Sequence, residues 1–386
     1  MYTLGYSEEE LSKYNGTHTA REIAQQPGLC LEVYENIHNN KNNLISFFEE
    51  VIPDIDGIIL TGAGTSNYIG MVLKSVYNHA FNIPTESIST THLVSHPQDY
   101  FKKDRKFLLV SFARSGNSPE SKAAVNMADE YTEKCYHLFI TCNQEGELAH
   151  LETKSKKMCY ILPERANDLS LAMTSSFTGM LTAGLLIAKV NQINSEREKF
   201  ERIAQHMEQA IHQENESLRN LAKQDFERSV FLGSGPLYGI AKEAQLKMQE
   251  MTDGIVVGKH DSFLGLRHGP KAVINDKTLV VFHFSNNEYV NKYEKDLAES
   301  FKKDHSLQLQ LGISENPVHN KDLSFAITFK NTHTFLEDEY LAIASIVPAQ
   351  ILAFHKAIHL GISPDNPSRN GAISRVVQGV NIYQLK

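Results

Sequence analysis

Residues 107–121 read Phe107-Leu108-Leu109-Val110-Ser111-Phe112-Ala113-Arg114-Ser115-Gly116-Asn117-Ser118-Pro119-Glu120-Ser121. An apolar run ends in a loop of Ser, Gly and Asn, and Pro119-Glu120 then opens a helical pattern. Pro suits a helix start, where its missing N–H costs nothing. Ser118 occupies the N-cap position, ahead of backbone N–H groups that the helix leaves unsatisfied. Hydroxyls at Ser111, Ser115 and Ser118, close backbone approach at Gly116 and the charge of Arg114 make this turn a candidate anion site, with Asn117 completing it. The same residues would also cap an ordinary strand-to-helix turn, so both readings stand on this stretch alone.

Upstream, Ile58-Ile59-Leu60 leads into Gly62-Ala63-Gly64-Thr65-Ser66 and a helical pattern over about 68–81. This is strand, Gly-rich loop, helix. As a dinucleotide fingerprint it fails: the third Gly is displaced and no acid follows at the right spacing. Downstream come a helix near 119–131 and strands near 136–142 and 158–162. Strands alternating with helices predict an α/β protein with a doubly wound parallel sheet. Residues 172–189 read as a buried helix. Residues 195–224 read as one long amphipathic helix striped by Phe200, Ile203, Met207, Ile211, Leu218 and Leu221. The pattern then restarts. Val230-Phe231-Leu232-Gly233-Ser234-Gly235 echoes residues 58–64, and Leu279–Phe284 echoes the run at 107–112. The second run leads into Ser285-Asn286-Asn287-Glu288, with no Gly and an acid at the helix start. An internal duplication accounts for this, with the anion loop kept only in the first copy.

The chain has 386 residues and a formal net charge of −8, which points away from nucleic acid and anionic membranes as partners. Its four Cys form no C-x-x-C and read as cytosolic thiols. The sequence opens with Ser7-Glu8-Glu9-Glu10 and no apolar run before it, so no signal peptide is expected and a cytoplasmic location is. The first forty residues are polar, acidic and in part helical.

The second copy offers acid–base chemistry. On a helix over 240–252, Glu243, Lys247 and Glu250 fall within about 60° of one another. Ala241, Ala244, Met248 and Met251 flank them, and Lys242, Gln245, Gln249 and Thr252 form a separate polar face expected in solvent. A single Glu–Lys pair at i, i+4 is an ordinary surface contact. Three charges framed by apolar residues point inward, toward acid–base work. His268, in Arg267-His268-Gly269-Pro270, sits in a turn and is the best single general acid/base candidate. His355 and His359 lack an H-E-x-x-H frame and a third ligand, so no metal site is expected.

The chain resembles the sugar isomerase (SIS) domain family, over about 45–200 and 216–365. Gly62–Ser66 resembles its first sugar-binding loop, placing Gly64, Thr65 and Ser66 near substrate. Arg114–Ser118 resembles its phosphate loop, Ser-x-Ser-Gly-x-Thr, with Ala113 for the first Ser and Ser118 for the Thr. The second half is similar to the isomerase part of glucosamine-6-phosphate synthase. That likeness implies Glu250 as catalytic carboxylate and His268 as the ring-opening group, contributed by a neighbouring subunit. Shared stretches such as Ala172-Met173-Thr174-Ser175-Ser176 and Arg375-Val376-Val377-Gln378-Gly379-Val380 extend the likeness to the bacterial galactosamine-6-phosphate deaminase/isomerases, also described as tagatose-6-phosphate ketose/aldose isomerases. Two departures from the synthase are expected. The glutaminase domain is missing, and Ser374-Arg375 stands where the synthase has a Schiff-base Lys, an imine that Arg cannot form.

The resemblance implies two tandem doubly wound SIS domains. The segments are an N-terminal helical segment at 1–44, domains at 45–200 and 216–365 joined by part of a long helix at 201–215, and a tail at 366–386. It implies a cofactor-free deaminase taking galactosamine 6-phosphate to tagatose 6-phosphate and ammonia. Glu250 and His268 act, Lys247 and Glu243 set the field, and a homodimer or larger assembly shares the site. The alternatives are an isomerase of unaminated hexose 6-phosphates and a sugar-phosphate sensor without catalysis.

Overall fold

The computed structural model describes residues 2–302, 309–317, 323–331, 334–377 and 379–383. Ten strands form two five-stranded sheets. The first holds β1 (Gly57–Thr61), β2 (Thr85–Ser87), β3 (Lys106–Ala113), β4 (Lys134–Thr141) and β5 (Lys157–Ile161), in the order β2-β1-β3-β4-β5. The second holds β6 (Arg228–Leu232), β7 (Val257–Asp261), β8 (Thr278–His283), β9 (Leu309–Ser314) and β10 (Phe325–Thr328), in the order β7-β6-β8-β9-β10. Every neighbouring pair in both sheets is parallel. The two orders are the same, so the duplication read from the glycine motifs extends to whole sheets.

The central strands are continuous apolar runs because both faces are covered. All five residues of β1 and all six of β8 are buried. Register fixes the loops: Thr61, the last residue of β1, pairs with Ser111 of β3, and Leu232, the last residue of β6, pairs with Phe282 of β8. Ile59, Leu109 and Phe139 anchor one core. Phe263, Phe282 and Phe284 cluster in the other, with ring centroids 5.5–5.8 Å apart.

The chain divides into two compact units. One comprises residues 29–168, 175–198 and 373–386 and carries the first sheet. The other comprises 1–28, 169–174 and 199–372 and carries the second. Each unit is assembled from three separate stretches of the chain. Helices near 119–131 and 172–189 are present as Pro119–Tyr131 and the wholly buried Ser175–Ala188. The N-terminal segment, expected to be helical in part, includes a 26-residue helix, Gln26–Val51. The single helix expected over 195–224 is a correction: Arg197–His212 and Asn215–Ala222 are separate helices. Next to the break, the buried Gln209 amide donates to the Thr328 carbonyl and accepts from Lys330 N–H, and Glu214 N–H reaches back to the Gln209 carbonyl. The apolar stretch Asp338–His359 is long enough to cross a bilayer, but 94% of its most apolar window is buried inside the protein.

Candidate active site

In an open parallel sheet, ligands bind outside the carboxyl ends of the strands where the strand order reverses. In the first sheet that point lies between β1 and β3. The loops leaving these strands are Gly62–Ser66 and Arg114–Ser118, so the fold brings both motifs to the carboxyl ends of neighbouring parallel strands. Gly64 lies at φ +55°, ψ −127°, which only glycine adopts readily, and turns the chain into the Thr65–Phe81 helix. A Cβ on Gly62 would lie 2.6 Å from Ser66, so glycine lets loop and helix touch. Thr65 and Ser66 are buried, and Gly64 is exposed.

The second loop is held from outside by the segment after β4. Asn143 donates through Nδ2 to the Ser115 carbonyl at 2.9 Å, and Leu148 N–H donates to the Gly116 carbonyl at 3.0 Å. Glu147 N–H donates to Asn117 Oδ1 at 2.9 Å. The loop's acceptors are thereby turned outward. Gly116 takes φ +67°, as the tight turn requires. Ser118 is the N-cap as read, but its hydroxyl makes no capping bond and lies 2.5 Å from Ser121 Oγ. Ser115 and Ser118 are half-buried. Arg114 is buried, and its Nη2 donates to the Arg375 carbonyl at 2.5 Å.

The corresponding loop of the second sheet holds carboxylates of the protein itself. Ser285 N–H donates to Glu294 Oε2 at 2.8 Å, Ser285 Oγ to Asp338 Oδ2 at 2.5 Å, and Asn286 N–H to Asp338 Oδ1 at 2.9 Å. Burial pushes the Glu294 carboxyl up to about 7, against hydrogen bonds that pull it down. This loop therefore satisfies its donors internally, as the lost anion motif suggests. Its sister loop is intact in backbone: Gly235 repeats φ +55°, ψ −127°, ahead of the Pro236–Met251 helix.

That helix carries the charged stripe. Glu243 and Lys247 are fully buried, and Glu250 keeps 23% of its side chain exposed. Lys247 Nζ lies 3.3 Å from Glu243 Oε1 and 2.6 Å from Glu250 Oε2. Burial acts to deprotonate Lys247, but the two carboxylates outweigh it and hold its pKa above the ordinary value. A charged ammonium thus grips a reachable carboxylate from the protein side. The expected solvent face is corrected at Thr252, which is buried; its hydroxyl donates to the Met248 carbonyl at 2.7 Å and accepts from Val256 N–H as the helix ends.

His268 lies in the turn after Phe263–Leu266, its N–H donating to the Gly265 carbonyl, and is exposed. Among the described residues no hydrogen bond or ion pair joins it to Glu250. His355 is a packed core residue: Nε2 meets Asn215 Oδ1 at 2.8 Å and Nδ1 meets the Tyr6 hydroxyl at 3.3 Å. Sequence reading missed the partners of Arg375 and Asp168, which come together only through the fold.

The SIS domain family matches residues 52–190. D-galactosamine-6-phosphate deaminase AgaS of Shewanella sp. (strain ANA-3) is 41% identical, over 98% of this chain and 94% of its own length. The chain belongs to the SIS-domain family. Solved structures with this SIS architecture include one from Clostridium novyi NT, 39% identical with TM-score 0.95 and full coverage of both chains. Tagatose-6-phosphate ketose/aldose isomerase from Escherichia coli is 32% identical, with TM-score 0.86, over 96% of this chain and 97% of its own. The second sheet lies outside the matched SIS segment yet repeats the strand order and the Gly-x-Gly geometry of the first.

Proposed function

We propose that this protein is an amino-sugar phosphate deaminase/isomerase. It opens the ring of galactosamine 6-phosphate and moves the C2 proton to C1. It then loses ammonia at C2 to leave tagatose 6-phosphate. The observation that carries this reading is Glu250, a reachable carboxylate gripped at 2.6 Å by a fully buried ammonium. Such a group takes a proton from carbon and returns it one atom away. The reading places the phosphate on Arg114–Ser118 and the sugar near Gly64–Ser66. His268 opens the pyranose, and its exposure supports service to the site of a second copy. Lys247 and Glu243 fix the orientation of Glu250 and the local field.

The steps balance. Removing the C2 proton from the open-chain aldehyde gives an enolamine, and protonation at C1 gives an iminium at C2. Water adds there and ammonia leaves, so one water is consumed for each ammonia released. No protein nucleophile is needed, which suits the presence of Arg375 where a Schiff base would need Lys. The specificity for an amine at C2 is supported by the Shewanella relative's activity. The test offers purified protein galactosamine 6-phosphate and glucosamine 6-phosphate beside tagatose and galactose 6-phosphates. Galactosamine 6-phosphate is expected to have the highest kcat/KM. Turnover confined to the unaminated pair would replace this reading with a ketose/aldose isomerase.

A further inference from the structure

Arg375 replaces the imine-forming residue of the similar synthase, and the reaction above gives it no task. Its guanidinium is nevertheless firmly held. Nε donates to the Asp168 carbonyl at 2.8 Å; Nη2 donates to the same oxygen at 2.6 Å and to Asn167 Oδ1 at 2.8 Å. The Asp168 carboxylate in turn accepts from Ser175 Oγ, from Ser176 N–H at 2.8 Å and from Ser176 Oγ at 2.5 Å, at the start of the buried Ser175–Ala188 helix. On its other side, the Arg375 carbonyl accepts from Arg114 Nη2 at 2.5 Å. Arg114 is the first residue of the candidate phosphate loop, and all these residues belong to one compact unit.

A continuous hydrogen-bonded path therefore runs from a buried helix, through Asp168 and Arg375, to the phosphate loop. Farther along the tail, Ile382 and Tyr383 line a cavity of about 340 Å³ with Ala123, Met127 and Tyr131, on the helix that the phosphate loop opens. The C-terminal segment thus meets that loop and helix at both ends. Arg114 directs its guanidinium to the tail, and the loop's Ser115 and Ser118 are half-buried, with Ser118 Oγ 2.5 Å from Ser121 Oγ.

We propose that Arg114 and Arg375 are positioning residues: together they latch the C-terminal segment onto the phosphate loop and set the geometry in which the loop holds phosphate. The proposal rests on the reading of residues 114–118 as the phosphate site. Arg375 does not touch the reacting atoms. Breaking the latch therefore weakens phosphate binding and raises KM, with kcat at saturation largely kept.

The test measures inorganic phosphate as a competitive inhibitor of the full-length enzyme. The variants are S115A, R114A, R375A, R375K and the double variant R114A/R375A, each checked for folding by thermal unfolding. S115A is expected to lose phosphate affinity. R114A and R375A are each expected to weaken it about tenfold. The double variant should be no weaker than the worse single one, because both break one path. R375K, keeping one donor to Asp168, should fall between R375A and wild type, and it carries the measurement should R375A fail to fold. Unchanged phosphate affinity in S115A would overturn the reading of the loop, and the latch with it. Loss in S115A with wild-type affinity in both arginine variants would overturn the latch alone. So would a fall in kcat at unchanged phosphate affinity, or additive losses in the double variant.

Discussion

Lys247 balances the charges of the candidate site. It is fully buried between Glu243, also fully buried, and the reachable Glu250. Replacing it by Met would leave the Glu243 carboxyl buried without its ammonium. Breaking such a pair costs about 3–5 kcal/mol, so K247M should shift the urea midpoint strongly downward and cut kcat as Glu250 loses its support. Loss of a surface pair would change the unfolding free energy by less than about 1 kcal/mol, and that result would remove Lys247 from the site. This triad was legible in the sequence because three charges share one helical face among apolar residues. Thr252 was misread because periodicity assumes a helix that continues, whereas Thr252 ends it. The contacts of Arg375 left no local signal, since residues 114, 168 and 375 meet only in the folded chain.

At the scale of elements, Gly-x-Gly after an apolar run announced both β1 and β6, and the strand boundaries fell within about two residues of the expected ones near 136–142 and 158–162. What was hidden is the filling of the second loop by Glu294 and Asp338, carboxylates that sequence spacing does not connect to Ser285. Two buried histidines on core elements contribute to the acid behaviour of the fold, beside His260, which burial holds down to about 4. Burial holds His283, in β8, down to about 3, and its Nδ1 meets Ser345 Oγ at 2.8 Å. Burial, with Arg219 and Lys223 nearby, holds His355 down to about 3. Each is neutral when folded but takes a proton near 6.5 when unfolded. Their contribution is full above pH 6.5 and is lost as pH falls toward 3, at about 1.4 kcal/mol per pH unit for each group. Glu294 works in the opposite sense: its contribution is full below about pH 4.5 and is lost as pH rises through about 7. The thermal unfolding midpoint should therefore drop between pH 6.5 and 4, and H283Q should flatten that limb. An acid limb of unchanged slope in H283Q would show that His283 does not contribute to it.

For the whole molecule, the candidate phosphate loop, residues 114–118, belongs to one compact unit and Glu250 and His268 belong to the other. The duplicated sheets differ: in the second, the loop after β8 is occupied by the Glu294 and Asp338 carboxylates, and the helix that follows β6 carries the buried Glu243–Lys247–Glu250 stripe. The deciding measurement follows galactosamine 6-phosphate deuterated at C2 and quantifies ammonia and ketose together. The account predicts one ammonia per tagatose 6-phosphate, deuterium recovered in part at C1, and a kcat about 10²–10⁴ lower in E250Q. Galactosamine 6-phosphate left unconverted with no ammonia released, or an E250Q enzyme as fast as wild type, would contradict it.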